Sequence, residues 1–179
     1  MSIILKLSKK LFKKYTDKNS IVVDATCGNG YDTLFLAQNS KFVYSFDIQK
    51  QAIENAKKLN YKFKNIEFIN DGHENLDKYI TNRIDLVVFN LGYLPKFNKE
   101  ITTRTETTLT ALKKSLNLLN NQKAVIITVY PGHKEGKKES EELQKYLSGL
   151  NFKQFDVFIH KLINKPNNPP YILEITKRN

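Results

Sequence analysis

The stretch Val22-Val23-Asp24-Ala25-Thr26-Cys27-Gly28-Asn29-Gly30-Tyr31-Asp32-Thr33 constrains the fold more than any other part of the chain. Two β-branched residues lead into an acidic one, and two glycines spaced by one residue then open a helical pattern. A strand that stops at Asp24 and turns through Gly28 and Gly30 brings bare backbone close to whatever binds there. No Cβ obstructs the approach, and the following helix points its N-terminus at the same place. This is the layout of a nucleotide-cofactor loop on an α/β sheet. A dinucleotide fingerprint asks for a third glycine three residues after the second. Here that position is Thr33.

Downstream, short apolar runs alternate with helical patterns, as in a parallel sheet with crossover helices. The pattern predicts strands at 20–24, 42–47, 66–70, 84–90 and 124–130, and helices near 31–39, 50–60, 104–119 and 136–149. Leu86-Val87-Val88-Phe89 and Ala124-Val125-Ile126-Ile127 are nearly continuous apolar runs, as central strands buried on both faces require. Met1 to Tyr15 sets Ile4, Leu7, Leu11 and Tyr15 at helical spacing, which predicts a helix over about 2–16 and not a signal peptide. Runs at 152–160 and 171–176 flank Asn167-Asn168-Pro169-Pro170 with no helix between them, so they pair as an antiparallel hairpin. The 179 residues read as a single domain spanning 1–179.

Lys and Arg number 29 against 18 Asp and Glu, a net charge of +11 that favours polyanionic partners. Codon bias towards lysine accounts for many of these charges as solvated surface. Cys27 stands alone, which excludes an intrachain disulfide and a cysteine-rich zinc site; no metal is expected. No apolar run reaches the roughly 18 residues of a membrane span, and the expected location is the cytoplasm.

In an open α/β sheet, ligands bind beyond the C-terminal strand ends. Asp47, followed by Ile48 and Gln49, closes the second strand about 20 positions after the glycine loop, where a carboxylate can accept from both ribose hydroxyls; capping the next helix is the alternative. Asp71, Gly72 and His73 follow the third strand. Asp71 can take an adenine amino group or cap a short helix, and His73 can stack on adenine or sit on the surface. Asn90-Leu91-Gly92-Tyr93-Leu94-Pro95 follows the fourth strand. Tyr130-Pro131-Gly132-His133 follows the fifth, placing His133 as a general base, an acceptor-positioning group or a structural histidine.

The segment Asp24-x-Thr26-x-Gly28-Asn29-Gly30 resembles the first motif of Rossmann-like S-adenosylmethionine (SAM) methyltransferases, with Thr26 in place of the usual first glycine. Five parallel strands followed by an antiparallel hairpin fit that fold: a mainly parallel seven-stranded sheet with helices on both faces. An NAD-binding sheet carries another helix where the hairpin lies. Asn90 to Pro95 is similar to the Asn/Asp-Pro-Pro-aromatic loop of amino-methyltransferases, keeping the asparagine and the aromatic but replacing both prolines by Leu91 and Gly92.

Taken with Asp71-Gly72-His73-Glu74, Tyr130-Pro131-Gly132-His133 and Pro169-Pro170-Tyr171, the chain resembles a small family long labelled rRNA methylases, and most of all its MnmM-type tRNA wobble-uridine methyltransferases. The resemblance implies methylation of 5-aminomethyl-2-thiouridine in the tRNA anticodon stem-loop, with methylation of rRNA or of a small amine as alternatives. It implies SAM held by Asp24, Thr26, Gly28, Asn29, Gly30, Asp32, Asp47, Ile48, Gln49, Asp71, Gly72 and His73. Asn90 and Tyr93 would orient the amine with His133 as proton acceptor or relay, and a homodimer would extend the RNA-gripping surface.

Overall fold

The computed structural model describes residues 2–92 and 104–179. Tyr93 therefore lies outside the described residues, as do Leu94 and Pro95. The elements run α1 (Ile3–Tyr15), β1 (Ile21–Asp24), α2 (Tyr31–Asn39), β2 (Phe42–Phe46), α3 (Lys50–Leu59), β3 (Ile66–Ile69), a 3-10 turn (His73–Lys78), β4 (Ile84–Asn90), α4 (Thr105–Leu118), β5 (Leu119–Val129), α5 (Lys134–Ser148), β6 (Phe155–His160) and β7 (Tyr171–Lys177). One seven-stranded sheet has the order β3-β2-β1-β4-β5-β7-β6. The first five of these strands are parallel, and β7 pairs antiparallel with both β5 and β6.

Alternation along β4 shows why the sheet is covered on both sides. Leu86 and Val88 join Ile4, Leu11 and Phe12 of α1 and Leu36 of α2 in one core. Val87 and Phe89 point the other way, to Ala111, Leu112 and Leu116 of α4 and Leu143 and Leu147 of α5. Side chains of successive strand residues leave opposite faces, so a strand apolar at every position needs helices on both.

Two of the sequence-based boundaries differ by three residues or more. β5 begins at Leu119, not near 124, because the polar run Asn120-Asn121-Gln122-Lys123 stays attached to the sheet through an irregularity. Pairing jumps from Ile84↔Leu119 to Leu86↔Ala124, Gln122 takes φ +60°, and Asn120 Nδ2 donates to Asp85 Oδ1 at 3.0 Å. β6 begins at Phe155, not 152, since Asn151 draws its successors into a turn. Its carbonyl accepts from the N–H groups of Gln154 and Phe155, and its side-chain oxygen accepts from Lys153 N–H at 2.9 Å.

From β1 the chain steps outward through β2 to β3, then crosses back to place β4 on the other side of β1. The crevice at that reversal is where such sheets receive ligands.

Candidate active site

A cavity of about 1570 Å³ opens at this reversal. Its walls come from the loops after each parallel strand, from the 167–170 segment before β7, and from α1 and α2.

The glycine loop is built from the back. Asp24 is fully buried behind it, with Oδ1 accepting from Thr26 N–H at 3.2 Å and Oδ2 accepting from Thr33 Oγ1 at 2.6 Å. Gly28 and Gly30 both lie in the left-handed region, at φ +51° and +82°. A Cβ on Gly30 would fall 2.7 Å from Asn60 Nδ2 and 2.8 Å from Ala56 Cβ, so Gly30 lets α2 seat against α3. Thr26, Gly28, Asn29 and Asp32 line the cavity, whereas Asp24, Gly30 and Gly72 do not. Asp24 therefore stands behind the loop that lines the cavity. Its side chain is committed to holding the loop in shape.

Asp47 bridges two loops: Oδ2 accepts from Gly28 N–H at 2.8 Å and Oδ1 from Gln49 N–H at 2.9 Å. The α3 N-cap is Gln49, so Asp47 is not a helix cap. Each carboxylate oxygen keeps a second acceptor lone pair. Burial pushes the Asp47 carboxyl above its ordinary value. Asn70 Nδ2 locks this turn by donating to the carbonyls of Asp47 and Ile48 at 2.9 and 3.0 Å. Ile48 lines the cavity beside Gln49, its side chain exposed as a flat apolar wall.

Asp71 also lines the cavity. Its Oδ1 accepts from Gly72 N–H and Asn75 Nδ2, and its Oδ2 from the Tyr79 hydroxyl. Partial burial pushes its carboxyl up, but these hydrogen bonds outweigh it and hold the group below its ordinary value. His73 is buried and not on the surface. Its Nδ1–H donates to the Ala25 carbonyl at 2.9 Å and its ring meets Phe89 edge-on at 5.6 Å. Burial lowers its pKa below the ordinary imidazole value.

At the end of β4, Asn90 N–H donates to Thr26 Oγ1 at 2.7 Å and Asn90 Nδ2 donates to Asp32 Oδ2 at 3.3 Å. His133 lines the cavity and caps α5, its Nδ1 accepting from Gly136 N–H at 3.1 Å. That bond occupies one of its two nitrogens and gives the histidine a structural task. Tyr130 is held in its protonated form, pushed up to about 12 by burial and then by the Asp32 charge.

Sequence reasoning missed Lys9. On α1 it pairs with Asp32 Oδ1, donates to the Tyr31 carbonyl at 3.3 Å and lies 4.8 Å from the Phe35 ring centroid. Lys6, Lys9, Lys10, Lys13 and Lys14 all fall within α1, and only tertiary contacts distinguish the one that faces the site from those that face water. Asn167, Asn168, Pro169 and Pro170 wall one side of the cavity, a role that the sequence announced only as a turn.

Asp24 gives the site a pH signature. Burial, with Asp32 nearby, pushes its carboxyl up to about 7 from 3.8. Between those values the folded state holds a proton that the unfolded chain has lost. The stability contributed by the neutral acid is thus present below pH 3.8 and lost as pH climbs through about 7. Urea midpoints of the wild type should decline over that window more steeply than those of Asp24→Asn, which has no proton to release.

Residues 43–176 match the family described as "Putative rRNA methylase". A Clostridium thermocellum structure of the same description is 39% identical, with TM-score 0.95 and coverage of 99% of this chain and 98% of that one. A Streptococcus mutans protein described as a "putative methyltransferase", solved in complex with SAH, is 37% identical with TM-score 0.92 and 99% coverage of each chain. The chloroplastic tRNA (mnm(5)s(2)U34)-methyltransferase of Arabidopsis thaliana is 31% identical over 185 residues, covering 94% of this chain and 68% of that protein. With the match extending over most of its length and the fold shared throughout, this chain belongs to the rRNA methylase family of methyltransferases.

Proposed function

We propose that the protein is a SAM-dependent tRNA methyltransferase converting 5-aminomethyl-2-thiouridine at the anticodon wobble position to 5-methylaminomethyl-2-thiouridine. The carrying observation is one cavity that runs from the Gly28–Asp47 bridge to the Asn90 side chain, so donor and acceptor share a single enclosure. The Arabidopsis relative supports the choice of RNA and base.

The residues present fit a nucleoside cofactor. Asp47 offers spare lone pairs for two ribose hydroxyls, Ile48 an apolar wall for a base, and left-handed Gly28 a bare backbone at the turn. When bound, SAM supplies a methyl group already activated by the sulfonium charge. The protein's tasks are then to align a neutral amine and exclude water. Because Asn90 Nδ2 is engaged by Asp32, its Oδ1 is the end left to accept an N–H of the amine. Tyr93, outside the described residues, completes this grip in our reading.

Lys9 has a chemical role here. A bare Asp32 carboxylate beside the site would stabilise the substrate as an ammonium, which has no lone pair; the Lys9 charge cancels that pull. Lys9→Met is expected to move the acid limb of the kcat/KM profile to higher pH, checked by initial rates across pH 6–10. An unmoved limb removes this role.

The single sheet, with both faces closed by helices, supports reading 1–179 as one catalytic domain. A tRNA substrate fits a reaction in the cytoplasm. Among the described residues no helix is long and apolar enough to cross a membrane. A homodimer fits the apolar side chains exposed on and beside the edge strand β6, notably Phe158, Ile159 and Ile163.

The function is tested with deuterium-labelled SAM and tRNA from cells lacking this methylation, followed by nucleoside mass spectrometry. Label in 5-methylaminomethyl-2-thiouridine is expected; label only in a parallel ribosomal RNA pool, or only on free amines, overturns the assignment.

A further inference from the structure

Part of the cavity lies in a groove lined by α1 and α2. Leu5 and Lys9 of α1 face Tyr31, Leu34, Phe35 and Gln38 of α2 across it. Tyr31 stands at the first position of α2, next to Asp32, and is 69% exposed. A large aromatic side chain left in water at the rim of a site has no packing task, and its ring face is available to another flat group. Its backbone is fixed by the hydrogen bond from Lys9 Nζ, so the ring projects from a rigid position.

The flank of the groove is basic without compensation. Lys6, Lys10 and Lys13 are exposed and fall at i, i+4 and i+7 along α1, hence on one face. Lys13 lies one turn beyond Lys9 and Lys6 one turn before it, so the stripe borders the residue that faces α2. The helix Ile3–Tyr15 contains no acidic residue, and none stands in its first turn, where the helix dipole would favour one. Among the described residues Lys6, Lys10 and Lys13 form no ion pair; Lys9 and Lys14 of the same helix do. Lys13, in the last turn, also suits the helix dipole, whereas Lys6 and Lys10 have neither an ion pair nor a helix end to serve.

We propose that this groove docks the single-stranded RNA next to the target nucleotide: a neighbouring base stacks on Tyr31 and its phosphates lie along Lys6, Lys10 and Lys13. Stacking suits an unpaired strand because every base offers a flat face, and a lysine stripe follows a backbone without reading sequence. The continuity of groove and cavity lets one strand present its reactive base at Asn90 and its neighbour at Tyr31. The proposal rests on an RNA substrate as argued above.

The test uses full-length protein, undermodified tRNA and, as minimal acceptor, the free nucleoside 5-aminomethyl-2-thiouridine. Tyr31→Ala is expected to raise KM for tRNA about tenfold, with kcat and SAM affinity by calorimetry retained. Tyr31→Phe should keep the wild-type KM, because the ring survives. A triple Lys6→Ala, Lys10→Ala, Lys13→Ala variant should flatten the dependence of log kcat/KM on log salt by about two, at about 0.7 per phosphate on a single strand. Neither variant should change turnover of the free nucleoside. Unaltered KM and salt slope, or a loss of kcat with KM intact, overturns the docking surface while tRNA methylation by the wild type stands. Absence of any wild-type transfer to tRNA instead overturns the underlying assignment, and the docking surface with it.

Discussion

Asn90→Ala is expected to lower kcat on tRNA by at least about a hundredfold, since misplacing a reacting group by an ångström costs that much, while SAM affinity stays close to wild type. The separation follows from how the residue is held. Its backbone N–H, which donates to Thr26 Oγ1 at 2.7 Å, survives the substitution, as does the bond from Leu91 N–H to the Thr128 carbonyl at 3.0 Å. The loop after β4 therefore keeps its path against the glycine loop. What disappears is the side-chain oxygen proposed to accept from the amine, on an amide whose nitrogen donates to Asp32. Single-turnover rates with SAM prebound, beside calorimetry on the same preparation, check both halves. Turnover preserved in Asn90→Ala removes the acceptor assignment.

Asp47→Ala should show the opposite split. The carboxylate accepts from Gly28 and Gln49 N–H groups and has lone pairs left for ribose hydroxyls. Hydrogen bonds to a charged group contribute about 1.5–3 kcal/mol each, so losing even one ribose contact should weaken SAM binding roughly ten- to a hundredfold, and losing both by more. At saturating SAM, kcat should recover most of its value. Wild-type SAM affinity should also fall on acidification sooner than an ordinary carboxylate would dictate, because burial has raised the Asp47 carboxyl. Calorimetric titrations of wild type and Asp47→Ala at several pH values measure the two affinity effects and initial rates at saturating SAM the third; equal affinities in the two proteins would show that the ribose lies elsewhere.

The strands were readable because each central one is apolar at consecutive positions, a pattern that only burial on both faces rewards. Leu86 to Phe89 is the clearest case. The start of β5 was hidden because Asn120 to Lys123 are polar and remain in the sheet through a side-chain bond to Asp85, a long-range partner that no local pattern announces. The site divides in the same way. Gly28, Asp47 and Asn90 sit at strand ends, where topology alone assigns a ligand. Asp24, by contrast, looks from its position like a contact residue. Its total burial and its bonds to Thr26 and Thr33 also make it a brace behind the loop, which position alone does not show. His73 and His133 illustrate the limit for titratable groups. Which nitrogen is engaged, by the Ala25 carbonyl in one and Gly136 N–H in the other, is set by backbone distant in sequence or by a helix start. Lys9 was beyond reach for a plainer reason: its role depends on which flank of α1 meets α2, and several neighbouring lysines share its chemistry.

A crystal structure of the protein with SAM bound tests the central claim most directly. The ribose should rest on Asp47 and the sulfonium methyl should face the Asn90 side chain within the same enclosure. A donor bound outside this cavity, or one whose methyl points away from Asn90, contradicts the account.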